Sequence, residues 1–331
     1  MPTNWNKPIE KFPMENYPDY EPGKTPRWEK LLEIDYQDEM EKIWNKKWGQ
    51  QGIGKLKEVA LSKPTEIESN PLFLENPEYF LLRYTELEGG EIEWKKIREG
   101  IERYADILKE ENIKVHWIED KVPEYLEKPM GAYGPLRKLF IAPNLGLVIN
   151  GGAITFRIGQ AGFLRGLEYY AQKFFNSIGC PILLYVTEEV CECSTGVWAA
   201  ENIRLATYSQ TWTKKSTDQL EPVLKAAGVE LIMAHGTTML ESLESSGQFH
   251  LDSALNVVDA GLALIYPAQV SFQLVRWMKD QNYRFIEIPK AEQGKHLPAN
   301  CMVLEPGKVV MNEGAEKTIS ALRDEGVEVI E

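Results

Sequence analysis

A helical run that stops at Gly or Asn and passes at once into a short apolar strand occurs five times in this chain. That repetition constrains the fold more than any other feature. The segments are ADILKEENIKVHWI (105–118), FFNSIGCPILLYV (174–186), LEPVLKAAGVELIMA (220–234), VRWMKDQNYRFIEI (275–288) and ISALRDEGVEVI (319–330). The stops are Asn112, Gly179, Gly228, Asn282 and Gly326, and these two residue types suit the left-handed conformation in which helices commonly end. Ahead of the helices stand paired strand-like runs with short turns between them. LFIAPNLGLVIN (139–150) is expected to turn at Asn144–Gly146, SALNVVDAGLALIYP (253–267) at Asp259–Gly261, and CMVLEPGKVVM (301–311) at Pro306–Gly307. The unit is therefore strand, strand, helix, strand, at intervals of about 45–65 residues. One such unit cannot bury its own apolar face, so repeats of this size stack or close on one another. A doubly wound sheet would alternate single strands with helices, and the hairpins argue against it. The expected fold is α/β, a pseudo-symmetric ring of five modules over 55–331, with its first and third modules irregular.

The first 54 residues read as a separate extension. Six of the 19 prolines fall within the first 26 residues, where each removes a backbone donor and fixes φ. Thr25 and Pro26 then form a helix-start signal. Trp28, Leu32, Tyr36, Met40, Ile43, Trp44 and Trp48 follow at helical spacing up to Gly49. This aromatic, Pro-rich arm is expected to pack on the main domain or on a partner subunit, which makes a homo-oligomer through the arm one expectation.

Composition narrows the partners. The 331 residues are 43% hydrophobic and 26% charged, ordinary globular proportions. The net charge of −13 disfavours nucleic acid and anionic membranes, leaves room for a cationic small molecule, and makes a small-molecule substrate the expected partner. There is no apolar run of about 18 residues and no secretory h-region at the start. Four cysteines are too few for a disulfide scaffold, so a cytoplasmic location is expected. No cofactor motif is present: LEGGEIEW (87–94) and GGAITFRIG (151–159) lack dinucleotide and phosphate-loop spacing and read as loops. No serine nucleophile elbow occurs either.

The candidate chemistry centres on two short segments. His250 stands in GQFHLDSALNVVD before the fourth module's first strand, and period-two alternation would place Asp252 on its face. A carboxylate beside an imidazole orients the ring and raises its pKa, a useful arrangement for general acid–base work. Cys191 and Cys193 lie two apart in TEEVCECSTG. They read as buried strand cysteines, as a thiolate nucleophile disfavoured by Glu188, Glu189 and Glu192, or as two metal ligands completed by His250. C-x-C alone is a weak zinc signal, and no metal site is assigned. His116, in a strand, reads as a packed or edge residue. His235 and His296 read as loop positions, and Cys180 and Cys301 as core.

The five-unit pattern together with HLDSALNVVDAGLALIYP resembles the guanidino-group-modifying enzymes of the pentein superfamily: amidinotransferases, arginine deiminases and dimethylarginine dimethylaminohydrolases. The match is best over 248–331 and weaker back to about residue 135; the first 54 residues have no counterpart. The resemblance implies a five-bladed α/β propeller with a central active site. There a histidine, a nearby carboxylate and a nucleophilic cysteine form a covalent amidino-type intermediate, while further carboxylates grip the guanidinium. It implies His250 as the catalytic histidine, Asp252 as a guanidinium-binding aspartate and Asn300 as structural. The family's Glu-Gly-Gly-Asp segment is here Glu192-Cys193-Ser194-Thr195, so Thr195 stands in place of the second carboxylate. Its Arg-Asp-Pro segment is here Arg137-Lys138-Leu139. The family's nucleophilic cysteine follows the last strand of the fifth module, the strand in which Glu331 stands. A thiolate beyond Glu331, or Cys193, is therefore the expected nucleophile.

These departures bear on the substrate. A guanidinium is best held by two carboxylates, and losing one charge-assisted pair in a dry site costs on the order of 2–5 kcal/mol. A neutral or partly aromatic molecule with an amidine-like C–N bond would fit better. Three functions stay open at this point. The first is a divergent enzyme cleaving or transferring at a C–N bond, with His250, Asp252 and Cys193 catalytic and Asp252, Glu192, Thr195 and Arg137 binding substrate. The second is an inactive propeller serving as a binding or assembly subunit. The third is metal-dependent hydrolysis through Cys191, Cys193 and His250.

Overall fold

The computed structural model describes residues 21–22, 35–42, 45–50, 52–62, 94–118, 142, 145–157, 167–188, 191–209, 212–236 and 250–331. Their strands fall into five sheets. The first pairs β1 (Glu58–Leu61) with β2 (Lys114–Trp117) in parallel, with helix α2 (Trp94–Glu110) between them in sequence. The other four are alike. In each, an opening strand runs antiparallel to the middle strand, and the middle strand runs parallel to the third. They comprise β3 (Leu147–Ile149), β4 (Gly152–Phe156) and β5 (Ile182–Val186); β6 (Val197–Ala200), β7 (Ile203–Tyr208) and β8 (Glu230–His235); β9 (Leu255–Asp259), β10 (Leu262–Ile265) and β11 (Arg284–Glu287); and β12 (Met302–Glu305), β13 (Lys308–Val310) and β14 (Glu328–Ile330). Helices α3 (Leu167–Ser177), α4 (Lys214–Ala226), α5 (Phe272–Asp280) and α7 (Glu316–Asp324) make the respective parallel crossovers, and α6 (Lys290–His296) joins the last two sheets.

The five helix stops share one local cause. Asn112, Gly179, Gly228, Asn282 and Gly326 all have φ between 59° and 85°. In each case the next residue returns its N–H to a carbonyl five positions back: Ile113 to Leu108, Cys180 to Phe175, Val229 to Leu224, Tyr283 to Met278 and Val327 to Leu322, at 2.8–3.0 Å. This closure satisfies orphan helix carbonyls and turns the chain directly into the third strand.

Three sequence expectations need correction. The hairpin of the second sheet turns at Asn150–Gly151, with Gly151 at φ 95°, rather than at Asn144–Gly146. GGAITFRIG is accordingly not a loop, because Gly152–Phe156 is the fully buried middle strand β4. Glycine is required at 152 by close approach: a Cβ there would stand 2.3 Å from the Pro181 carbonyl oxygen. The third module is also regular. A capping box at Thr213 and Ser216 starts α4 cleanly, and six residue pairs join β7 to β8.

The apolar core passes from sheet to sheet. One cluster joins Ile118 at the end of β2 to the β4 and α3 residues and on to Ala206 and Leu220. A second joins Ala199 and Leu205 to Leu255 and Ala263, and a third joins Val258 and Leu264 to Val309 and Leu322. A fourth brings Leu304 and Val310 of the last sheet onto Leu61 and Leu108 of the first. A hydrogen bond from Leu56 N to Leu304 O (2.7 Å) ties those same two sheets. Of the extension, α1 (Tyr36–Lys42) and the following residues rest on the second sheet. Gly151 N donates to Trp48 O (2.9 Å), and the buried Trp48 indole donates to Gly179 O (3.3 Å). Trp5, Trp28 and Trp44 lie outside the described residues. No helix among the described residues is long and apolar enough to cross a membrane.

Candidate active site

Two turns, each immediately before the opening strand of a sheet, bring the polar groups together. Residues Cys193–Thr195 form a 3-10 turn ahead of β6, and Leu251–Ser253 form another ahead of β9. His250 is the residue that enters the second turn, so His250 and Asp252 do not alternate on a strand. The turn is held by Ser253, whose hydroxyl donates to His250 O (2.7 Å). The first turn is held by Thr195, whose amide (3.0 Å) and hydroxyl (2.8 Å) both donate to Glu192 O. Thr195, expected to bind substrate, is buried, and its hydroxyl serves this turn.

Packing of β6 against β9 places Glu192 beside His250. The imidazole Nε2 lies 2.7 Å from Glu192 Oε2; the carboxylate is 2% exposed and the ring 41% exposed. An ionised carboxylate only accepts, so Nε2 carries the proton. Burial works against the imidazolium, but the Glu192 hydrogen bond and the charges of Asp252 and Glu192 outweigh it. They hold the His250 pKa above its usual value. The second oxygen of Glu192, Oε1, is buried without a hydrogen-bond partner. Asp252 is shifted as well: burial raises its pKa to about 6, against the lowering effects of His250 and Arg204. The histidine's hydrogen-bonded carboxylate is thus Glu192 rather than the locally spaced Asp252.

Arg204, which the sequence reading did not single out, completes the cluster. It projects from β7, is 2% exposed, and donates through Nη2 to Cys193 O (2.8 Å) and Ser194 O (3.1 Å). Its guanidinium lies 4.9 Å from the Trp198 ring centroid. Gly196 leaves room for it, since a Cβ there would come within 3.0 Å of its Nε. A charged residue inside the apolar run Ile203–Tyr208 was the available sequence signal, because an unpaired arginine seldom sits in a buried strand.

Cys193 is fully buried, and burial together with the neighbouring Cys191 pushes its pKa well above the usual thiol value despite Arg204. Cys191 is buried where its backbone bridges Trp212. Cys180 and Cys301 are pushed up to about 12, chiefly by burial. Among the described residues, no group of three or more His, Cys, Asp or Glu side chains is placed to share a metal ion. His116 bonds Glu58 (2.6 Å) and meets Phe174 edge-on, as a packed residue. Arg137 and Lys138 lie outside the described residues.

Repeated strand–strand–helix–strand sheets are a fold this chain shares with guanidino-group-modifying enzymes of the pentein superfamily. By sequence the chain belongs to the family of a bacterial nitrohydrolase. It is 30% identical over 316 residues to the 2-nitroimidazole nitrohydrolase of Mycobacterium sp. (strain JS330), covering 90% of this chain and 80% of that protein. Among solved structures, DDAH from Pseudomonas aeruginosa in complex with citrulline shares the fold, with a TM-score of 0.57, 16% identity and coverage of 83% of this chain and 91% of that one. So does an amidinotransferase of Microseira wollei from the saxitoxin biosynthetic pathway, with a TM-score of 0.55, 13% identity and coverage of 86% and 90%. No family model matches the chain.

Proposed function

We propose that this protein is a hydrolase acting on a neutral small molecule at a carbon bonded to three nitrogens, on a closed five-module α/β propeller. The central carbon of a guanidine has three nitrogen neighbours. So does the carbon that bears the nitro group in 2-nitroimidazole, the compound named for the related nitrohydrolase. One chemistry therefore serves both: a nucleophile adds to the sp2 carbon and one C–N bond breaks.

The observation that carries this reading is the His250–Glu192 pair at 2.7 Å. In the first step, imidazolium transfers its proton to a nitrogen retained by the substrate, which takes up the charge developing on addition. The nitrogen leaving group departs with its bonding electrons. Water then replaces the nucleophile on carbon, with the now neutral His250 accepting the water proton. Glu192 orients the ring throughout, and Asp252 binds the substrate's N–H edge.

Charge favours a neutral substrate. Arg204 and His250 as cations face Glu192 and Asp252 as anions, leaving no surplus negative charge for a guanidinium. The nucleophile of this proposal is a thiolate, either at Cys193 or on chain continuing from β14. The end of β14 lies level with the start of β12, the sheet end that carries the polar turns before β6 and β9.

The test is a substrate panel on the full chain: 2-nitroimidazole, simple amidines, L-arginine and methylated arginines, followed by release of nitrite, ammonia or amine. Mass mapping of any trapped covalent adduct assigns the thiolate. Preferred turnover of the neutral heteroaromatic is expected. Preferred turnover of arginine would overturn the reading, and turnover of no compound would favour a binding subunit.

A further inference from the structure

We propose that Arg204 is the specificity-determining residue of this site: a buried cation that cancels the carboxylate of Asp252 and so turns away guanidinium in favour of a neutral ligand. The inference rests on the reading above and deepens it. Four observations carry it. Arg204 is 2% exposed, its Nη2 hydrogen bonds go to the neutral carbonyls of Cys193 and Ser194, and its Nε has no partner. Among the described residues no carboxylate stands within ion-pair distance of it. The turn it anchors follows Glu192, which bonds His250 at the entry of the turn that holds Asp252, so the carboxylate of Asp252 belongs to the cluster on which its charge acts.

A buried guanidinium without a direct counter-ion is costly, and its retention calls for a role. Anchoring the 193–194 carbonyls needs only a neutral donor. A full positive charge behind Asp252 does something a neutral donor cannot: it repels a second cation from that carboxylate. Arg204 reaches neither His250 nor Glu192 by a hydrogen bond, so its effect on chemistry is through charge, and it is a positioning and specificity residue.

The experiment measures binding rather than turnover, so it remains readable if the proposed reaction is wrong. Guanidinium chloride and imidazole are titrated into the full chain at pH 8, for wild type, Arg204→Gln and Arg204→Lys. The glutamine amide can still donate to the turn carbonyls but carries no charge; the lysine keeps the charge and loses the fork. Guanidinium binding should strengthen by at least about tenfold in Arg204→Gln and stay near wild type in Arg204→Lys. Imidazole binding should move by less than about threefold in both. Unchanged or weaker guanidinium binding in Arg204→Gln, or a lysine variant that behaves like the glutamine one, would overturn the proposal. Should Arg204→Gln not fold, wild type decides alone: guanidinium bound tenfold or more tightly than imidazole would contradict it, and weaker or equal binding would sustain it.

Discussion

His250 and Glu192, 58 positions apart in sequence, meet at 2.7 Å, and that contact joins the turns that open the third and fourth sheets. Glu192 is buried and can do little there except accept from the imidazole and offer its free oxygen to a ligand. Replacing Glu192 with Gln should lower the His250 pKa, because the hydrogen bond and the charge that raise it are removed while burial still opposes the cation. NMR titration of the ring reads this directly. The basic limb of the pH–rate profile should move down with it, and activity should fall by about 10–10²-fold.

Asp252 should set the acid limb. Its carboxyl titrates near 6, chiefly because it is buried, so a step requiring the ionised form gains rate through that pH. Asp252→Asn should abolish the limb and weaken substrate binding. The stability consequence has a definite sign. The folded pKa lies above the unfolded one, so the neutral acid's contribution is present below the unfolded pKa and is lost as pH rises through about 6. The loss is on the order of 2 kcal/mol. Urea denaturation between pH 4 and 7 should show this fall in wild type and not in Asp252→Asn.

Glu292 makes the opposite case. Its carboxylate accepts from Lys317 N (2.8 Å), Thr318 N (3.0 Å) and the Thr318 hydroxyl (2.6 Å), which cap the start of α7. Burial alone would raise its pKa, but these hydrogen bonds outweigh it, and the value is lowered. Its contribution is present above the unfolded pKa and lost as pH falls through the folded one. Glu292→Ala should cost about 1–2 kcal/mol at neutral pH and noticeably less near pH 3. Thermal melts at the two pH values check it.

Gly152→Ala tests the reassigned strand β4. The added Cβ would meet the Pro181 carbonyl at 2.3 Å, a backbone atom that cannot swing aside. A destabilisation of about 1–3 kcal/mol is expected, seen as a lowered midpoint in urea. A silent substitution would mean that 151–159 is the loop its glycines suggest.

Thiol chemistry gives a further check. Cys180, Cys193 and Cys301 all have raised pKa values, so each should resist iodoacetamide at pH 8 in the native chain and react once the chain is unfolded. Peptide mapping identifies the sites. Fast native labelling of Cys193 would mark it as the nucleophile and contradict its burial and raised pKa.

What was legible in the sequence followed from local rules. Asn282 and Gly326 announced their turns because few other residues adopt a left-handed φ, and the Asp259–Gly261 and Pro306–Gly307 hairpins followed the same logic. The second hairpin was misplaced because Asn144–Gly146 and Asn150–Gly152 both carry turn residues; the pairing of Leu147–Ile149 with Gly152–Ile154, which is not local information, distinguishes them. His250 was identifiable from its motif, whereas its partner was not. Alternation suggested Asp252, but a 3-10 turn replaces the strand there and a distant module supplies Glu192. Arg204 was visible as a charge inside an apolar strand, but the turn carbonyls it anchors, 10 and 11 positions back, were not.

The most direct test of the account is turnover of the best neutral substrate by His250→Ala in a full chain shown to be folded. A loss of about 10²-fold or more in kcat/KM is predicted, with the basic limb of the pH profile abolished. Wild-type turnover with an unchanged profile would contradict the assignment of His250 as acid and base.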